Sequence, residues 1–423
     1  MSRPTHPFVR SHLWNKLRVQ LGGGLLFAVI APAALLASTY ENFFSTQPAH
    51  WALLGTFIGA AASIYLVRNL TLYPGIRGVF YSLPSVLVSF SITFSCFLLL
   101  RIDYSRTLLI SGAVLTLIWL YLVQYMAARG PPLRVGMVPF GDVDLLKDVP
   151  NLQTGSLDAP RLESAFDLLV ADFRADLPDE WEAFLADCAL AGIPVLHVKQ
   201  LHESLVGRVD IEHLSENNFG SLIPFIGYLR LRRVVDFVSA LLLGILLLPV
   251  LLIVALLIRL DSPGPALFRQ ARVGYRGEVF QIAKFRTMTA GREKTDDRSD
   301  AFTLDNDPRI TRIGRFLRRS RIDELPQMLN ILKGEMSWIG PRPEAVPLSR
   351  WYEQELPFYR YRHIVPPGIT GWAQVNQGHV FEIKQVTSKL QYDFYYIKAF
   401  SPWLDALIFA KTVHTIITGF GAR

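Results

Sequence analysis

Long apolar runs open the chain and then give way to shorter, punctuated ones. Four stretches, Val19 to Ala37, Trp51 to Leu66, Leu83 to Leu100 and Leu108 to Tyr125, each come close to the length of a helix that crosses a bilayer core. None has the form of a cleaved signal peptide, because the first is followed by Tyr40-Glu41-Asn42 and then by another apolar run. They predict a four-helix transmembrane unit over residues 1–130. Lys and Arg are retained on the cytoplasmic side of such helices. Arg3, Arg10, Lys16 and Arg18 precede the first run, Arg68 and Arg77 follow the second, and Arg129 and Arg134 follow the fourth. The loop from Ser38 to His50 has neither residue type, while Arg101 and Arg106 run against the pattern, partly offset by Asp103. Both ends of the unit therefore read as cytoplasmic.

After Pro131-Pro132 the period changes. Leu133 to Val138, Phe166 to Ala171 and Pro194 to Val198 read as strands, with a helical run from Trp181 to Ala191 closed by Gly192. This alternation predicts a small Rossmann-like parallel α/β domain over residues 131–222. Val138-Pro139-Phe140-Gly141-Asp142 stands where a Gly-rich phosphate fingerprint would follow the first strand, so a structural or oligomerising role, such as a homodimer surface, is expected over a nucleotide site.

A further apolar run, Phe237 to Ile258, is long enough to span. Arg230, Arg232 and Arg233 precede it and Arg259, Arg269 and Arg272 follow it, so a crossing would leave positive charge on both sides of the membrane. Proline removes a backbone hydrogen bond and crowds the preceding turn, and Pro249 lies within the run. A re-entrant helix broken at Pro249, over residues 223–260, is expected over a crossing or a buried soluble helix. From Asp261 the chain interleaves aromatic and basic residues, among them Trp338, Trp351, Tyr352, Tyr359, Arg360, Tyr361, Arg362 and Trp372, a mixture suited to the headgroup level of a membrane. Ser401-Pro402-Trp403 opens a last helix expected to lie along the interface, and Gly291 to Asp300 reads as a polar loop.

Composition agrees with a membrane protein: 51% of the 423 residues are hydrophobic, and mean hydropathy is +0.27. Two cysteines, Cys96 and Cys188, exclude a disulfide framework or a Cys-rich metal site. The net charge of +7 lies mostly beside apolar segments, which points to anionic lipid and phosphate ligands and not to nucleic acid.

The chemistry concentrates in Arg318-Arg319-Ser320-Arg321-Ile322-Asp323-Glu324-Leu325-Pro326-Gln327. Arginine forks bind phosphate oxygens in two-point fashion, and a carboxylate can hold a divalent metal or attack phosphorus. By itself the segment is also what an exposed, charged helix start looks like. Its company changes that reading: Arg232-Arg233-Val234-Val235-Asp236 before the apolar run, Lys284-Phe285-Arg286-Thr287-Met288 after it, Asp307-Pro308-Arg309-Ile310-Thr311-Arg312-Ile313-Gly314-Arg315, Gly340-Pro341-Arg342-Pro343, and Pro366-Pro367-Gly368-Ile369-Thr370-Gly371-Trp372.

From about Leu231 to the C-terminus this set resembles the bacterial sugar transferase family, the polyprenyl-phosphate hexose-1-phosphate transferases or monotopic phosphoglycosyl transferases, and the preceding spans and α/β domain resemble its long form. The resemblance implies an α-rich cytoplasmic catalytic domain over residues 261–423 on the bacterial inner membrane. It implies a nucleotide sugar donor, usually a uridine carrier, a polyprenyl phosphate acceptor and Mg2+. Asp323 matches the nucleophile that takes the phosphosugar covalently. Glu324 matches its partner, with a metal-binding or acid/base role, so both are also metal candidates. Lys284 and Arg286 match the basic motif expected to meet the diphosphate, with Arg315, Arg318, Arg319 and Arg342 as further phosphate candidates. Arg233 and Asp236 are expected to pair and, with Pro249, to orient the membrane helix. Leu248-Pro249 departs from the family's usual Ser-Pro.

Two rival functions are weaker. Asp305-Asn306-Asp307 offers the metal pattern of a processive glycosyltransferase, but no Gln-x-x-Arg-Trp follows it: Arg350-Trp351 is preceded by Pro347. A non-catalytic scaffold would have no need of Asp323, Glu324, Lys284 and Arg286 together.

Overall fold

The computed structural model describes residues 13–74, 76, 78–129, 132–147, 149, 152–161, 166–209, 224–289, 309–377 and 383–418. Arg3, Arg10, Arg77, the Gly291 to Asp300 loop and Asp305-Asn306-Asp307 lie outside the described residues. The chain divides into two compact units, Met1–Gly207 and Arg208–Arg423.

In the first unit the apolar runs form helices Leu17–Thr39, Gln47–Leu70, Gly78–Leu99 and Arg106–Ala128, each long and apolar enough to cross a membrane. Their packing is the reverse of a soluble bundle, with small and hydroxyl residues inside and large apolar ones outside. Ala52, Thr56, Gly59, Ala60 and Ser63 form a buried stripe along Gln47–Leu70, while Leu54, Phe57, Ile58 and Tyr65 of the same helix are exposed. The stripe admits the neighbouring helix closely: a Cβ on Gly55 would lie 2.4 Å from the Phe97 ring. Thr56 and Ser63 return their hydroxyls to the carbonyls of Ala52 and Gly59, so neither buried hydroxyl is orphaned. Leu17–Thr39 contains one π turn, in which the Ala31 N–H reaches back to the Leu26 carbonyl just before Pro32, a residue that cannot itself donate.

The same unit holds an all-parallel sheet in the order β2-β1-β3-β4, with β1 Leu133–Met137, β2 Leu152–Ser156, β3 Leu168–Ala171 and β4 Val195–His197. Alternate residues serve opposite faces. Val135, Leu168 and Val170 pack with Leu201 of helix Val198–Val206, and Leu169 and Ala171 pack with Trp181 and Leu185 of helix Asp179–Leu190. β2 has no counterpart among the expected strands, because Leu152-Gln153-Thr154-Gly155-Ser156 is an edge strand with one apolar residue. Ligands of such sheets bind beyond the strand ends where the order reverses, here between β1 and β3. The Asp172 carboxylate occupies that place, accepting the backbone N–H groups of Asp142 and Arg174, each at 3.1 Å.

The second unit begins with the 36-residue helix Ile226–Asp261. Helical backbone continues through Pro249, so this residue lies inside one helix and does not separate two, which corrects the expected break. The ladder hydrogen bond lost at proline is local, and the turns on either side remain paired. An antiparallel hairpin follows, β5 Leu267–Val273 and β6 Val279–Phe285, then helix Arg312–Arg319, a 3-10 helix Ile322–Gln327 and helix Met328–Lys333. β7 Ser337–Ile339 pairs in parallel with β8 Gly368–Thr370. Helices Val346–Glu355, Trp372–Gln377, Ile383–Lys398 and Pro402–Thr418 complete the unit.

Candidate active site

Three pieces of backbone bring the site together. The carboxylate pair rides on the 3-10 helix, entered through Arg321 in the left-handed conformation (φ 59°) and left through helix Met328–Lys333, which Gly334 ends at φ 79°. Lys284 comes from β6. Arg342 comes from the loop after β7, where the Gly340 and Gly368 backbones meet so closely that a Cβ on Gly368 would lie 2.1 Å from the Gly340 nitrogen. This contact explains why glycine stands at both positions: no side chain fits between the two backbones.

Glu324 is buried among cations. Its Oε1 accepts from Arg342 Nη2 at 2.8 Å and from Lys284 Nζ at 3.3 Å, and its Oε2 faces Arg321 Nη1 at 3.8 Å. Burial pushes this carboxyl up, but Arg342, Lys284 and Arg321 outweigh it and hold the group well below the usual carboxylate range. Burial pulls the Lys284 ammonium down to about 8, against the pull of Glu324. Asp323 behaves oppositely to its neighbour: burial and then the Glu324 charge raise it, and it makes no hydrogen bond or ion pair among the described residues. The two adjacent carboxylates are thus driven apart, one locked as an anion among cations and one left without a partner.

The expected phosphate residues separate into groups. Lys284 and Arg342 converge on the pair, and Arg318, whose Nε donates to Thr287 Oγ1 at 2.9 Å, lowers Asp323 electrostatically. Arg315 and Arg319 are exposed on helix Arg312–Arg319. Arg286 stands apart. Its guanidinium donates to the carbonyls of Pro263 at 2.9 Å and Ser262 at 2.6 Å, and to Ser262 Oγ at 3.0 Å, closing the C-terminal end of helix Ile226–Asp261. With 7% exposure, it is bonded to the helix end and makes no contact with the carboxylate pair among the described residues.

The expected Arg233–Asp236 pair is a second correction. Asp236 faces Arg232, one turn away at i–4 (3.8 Å), and accepts from Ser337 Oγ at 2.6 Å. Arg232 also meets Asp405 at 3.3 Å, Tyr396 Oη at 2.7 Å and the Ile339 carbonyl, tying the helix to β7 and to helix Pro402–Thr418. Arg233 is exposed, beside Gly334.

Three contributors, Arg321, Arg362 and Arg272, are not marked as such by the sequence. Arg321 stands in the arginine run but carries no distinguishing mark beyond its nearness to the pair. Arg362, 2% exposed, donates to the Arg342 carbonyl at 2.9 Å and pairs with Asp393 at 2.8 Å, while Arg272 Nη1 donates to the Pro343 carbonyl at 2.8 Å. These two anchor the backbone from which Arg342 reaches Glu324.

Among the described residues no group of three or more His, Cys, Asp or Glu side chains is placed to hold a metal. A divalent ion against Glu324 alone would meet three cations, so the donor set fits Mg2+ only when substrate phosphates supply further oxygens.

The segment that carries these residues is similar to known proteins. The family model for bacterial sugar transferases matches residues 227–419. The chain is 43% identical over 373 residues to a UDP-N-acetylgalactosamine-undecaprenyl-phosphate N-acetylgalactosaminephosphotransferase of Aeromonas hydrophila, covering 86% of this chain and 88% of that protein. It is 42% identical over 193 residues to the UDP-glucose:undecaprenyl-phosphate glucose-1-phosphate transferase of Escherichia coli K12, covering 45% of this chain and 41% of that one. An exopolysaccharide production protein of Rhizobium leguminosarum is 42% identical over 199 residues, covering 46% of this chain and 98% of its own length. A likeness that reaches most of the chain in the first case, and carries the site-bearing segment in the family model, settles the assignment: the chain belongs to the bacterial sugar transferase family.

Proposed function

We propose that the protein transfers a hexose-1-phosphate from a UDP-sugar to undecaprenyl phosphate, giving undecaprenyl-diphosphate-sugar and UMP. The observation that carries this reading is the asymmetry of the pair: Glu324 is held by Arg342, Lys284 and Arg321, and Asp323 beside it makes no hydrogen bond or ion pair among the described residues. In this reading Asp323 attacks the β-phosphorus, the bond from that phosphorus to the bridging oxygen breaks, and UMP leaves with the oxygen. An oxygen of the polyprenyl phosphate then attacks the aspartyl phosphosugar, forming the new diphosphate and freeing Asp323. The donor's anionic diphosphate repels an attacking carboxylate, and Lys284, Arg342 and Arg318 supply the positive charge that lets it approach. Glu324 keeps those cations converged. Mg2+, held by Asp323 and Glu324 with the donor's phosphates, would neutralise further diphosphate charge when bound.

The membrane reading supports the same acceptor. Helix Ile226–Asp261 packs on one body through both halves, Ala240 with Phe280 and Ile331, and Val254 and Ile258 with Phe285 and Leu317. Between them Leu242, Ile245, Leu246, Leu248, Leu252 and Ile253 are exposed. An apolar midsection flanked on both sides by one polar body suits a helix that enters and leaves by the cytoplasmic face of the inner membrane, bending within its continuous backbone at Pro249, where a ladder hydrogen bond is lost. The first step in building an exopolysaccharide, capsule or O-antigen unit is the corresponding place in metabolism.

The test is exchange of labelled UMP into the UDP-sugar by purified protein with Mg2+ and no lipid acceptor. UDP-N-acetylgalactosamine is the first donor to try, as that sugar is named for the relative aligned over most of the chain. Exchange that Asp323→Asn abolishes is the expected result. Turnover with lipid but no exchange without it would exclude the covalent step.

A further inference from the structure

The strand that carries Lys284 is paired on one side only. β6 bonds to β5, and no described strand covers its other edge. Its exposed backbone groups are met instead by the side chain of Asn330, which is 2% exposed on helix Met328–Lys333. Asn330 Oδ1 accepts the Ala283 N–H at 3.0 Å, and Nδ2 donates to the Gln281 carbonyl at 2.7 Å. The second Nδ2 hydrogen goes to Glu335 Oε2 at 2.7 Å. The carboxamide thus imitates the peptide of a neighbouring strand. Exchanging its oxygen and nitrogen would spoil all three bonds, so the network determines its orientation.

Both ends of this brace bear on the site. Ala283 is the residue before Lys284, and Asn330 lies on the helix that continues directly from the one holding Asp323 and Glu324. We infer that Asn330 is a positioning residue: by bonding to the backbone beside Lys284 it sets the ammonium against Glu324 and so keeps the cationic cluster assembled next to Asp323. Without it, the Ala283 N–H and Gln281 carbonyl lose their partners. A buried strand edge in that state shifts toward another donor or water and takes Lys284 with it. The catalytic consequence rests on the transfer reaction proposed above, whereas the placement of Lys284 does not.

The experiment measures both in the purified full-length protein. Amide hydrogen exchange of the Val279–Phe285 segment, read by mass spectrometry, reports whether the strand edge beside Lys284 is held, without any turnover. UMP release reports kcat and the donor KM. Asn330→Ala is compared with Ile331→Val, which trims the adjacent core residue, 3% exposed, without touching the brace. The expected result for Asn330→Ala is faster exchange in that segment and a fall in kcat on the order of 10- to 100-fold, with the donor KM changed less. Ile331→Val leaves both where they are in the parent. Should Asn330→Ala not accumulate, Glu335→Ala, which removes one of the three anchors, is expected to speed exchange there by less. Unchanged exchange, or faster exchange with kcat unchanged, overturns the inference. Faster exchange in a protein whose parent releases no UMP would leave the brace intact and overturn the reaction.

Discussion

Two carboxylates adjacent in sequence acquire different chemistry because only one of them reaches the cations. Glu324 turns into the cluster of Arg342, Lys284 and Arg321, and Asp323 does not. The pair itself was legible in the sequence, as were Lys284 and Arg342, because they stand in short segments whose combination is distinctive. The division of labour was not, since it depends on which face of a 3-10 turn each side chain takes. Titration follows from the same cluster. Lys284, lowered to about 8, loses its proton just above neutrality, so kcat/KM is expected to fall along an alkaline limb near that pH. Lys284→Arg, with a side chain charged at any accessible pH, should displace the limb upward even if its plateau is lower, and a limb unmoved in that variant would assign it elsewhere. The effects on stability have opposite senses. The depressed Glu324 contributes stability that is fully present at neutral pH and is lost as pH falls from 4.5 through its lower folded value. For Lys284 alone, the unfolded chain holds more protons between about 8 and 10.5, so folding stability rises with pH across that window.

At the scale of elements, the expected Arg233–Asp236 pair shows what a linear motif leaves open. Either arginine could meet Asp236 by spacing, and the choice is made by Ser337, Tyr396 and Asp405, which come from distant parts of the chain and gather around Arg232. Arg286 shows the same thing from the other side, a basic residue in the right motif that closes a helix end. Removing Arg232 leaves Asp236 and Asp405 without their cation. Arg232→Ala should therefore cost about 3–5 kcal/mol, measured as denaturant or thermal unfolding in detergent. The exposed Arg233→Ala should change stability by no more than about 0.5 kcal/mol. Equal losses in the two variants would contradict this assignment.

Across the whole molecule, the apolar helices and all strands of the parallel sheet but β2 were visible as changes in hydrophobic period, with boundaries within a few residues except at helix Ile226–Asp261, which begins well before the apolar run at Phe237. What periodicity could not show is the inside-out packing, with Gly55 and Gly59 against Phe97 and Phe90, because small residues read as weak signals until a neighbour fills them. It also could not show that Asp172 occupies the place between β1 and β3 where a ligand would sit. The proposed re-entrant course of helix Ile226–Asp261 is testable with cysteines placed at exposed positions before and after it. In a Cys96→Ser, Cys188→Ser background, Arg230→Cys and Arg276→Cys should both react with an impermeant maleimide in inverted vesicles and neither in intact cells. Reaction of the second site from the outside alone would mean the helix crosses.

Transfer through Asp323 can be read in a single assay. Purified protein is incubated with Mg2+, undecaprenyl phosphate and a panel of UDP-sugars, and released UMP is measured beside Asp323→Asn. UMP is expected from one donor, falling by at least about a thousandfold in the variant, as for loss of a nucleophile. Release of UDP in place of UMP, or full activity in Asp323→Asn, would contradict it.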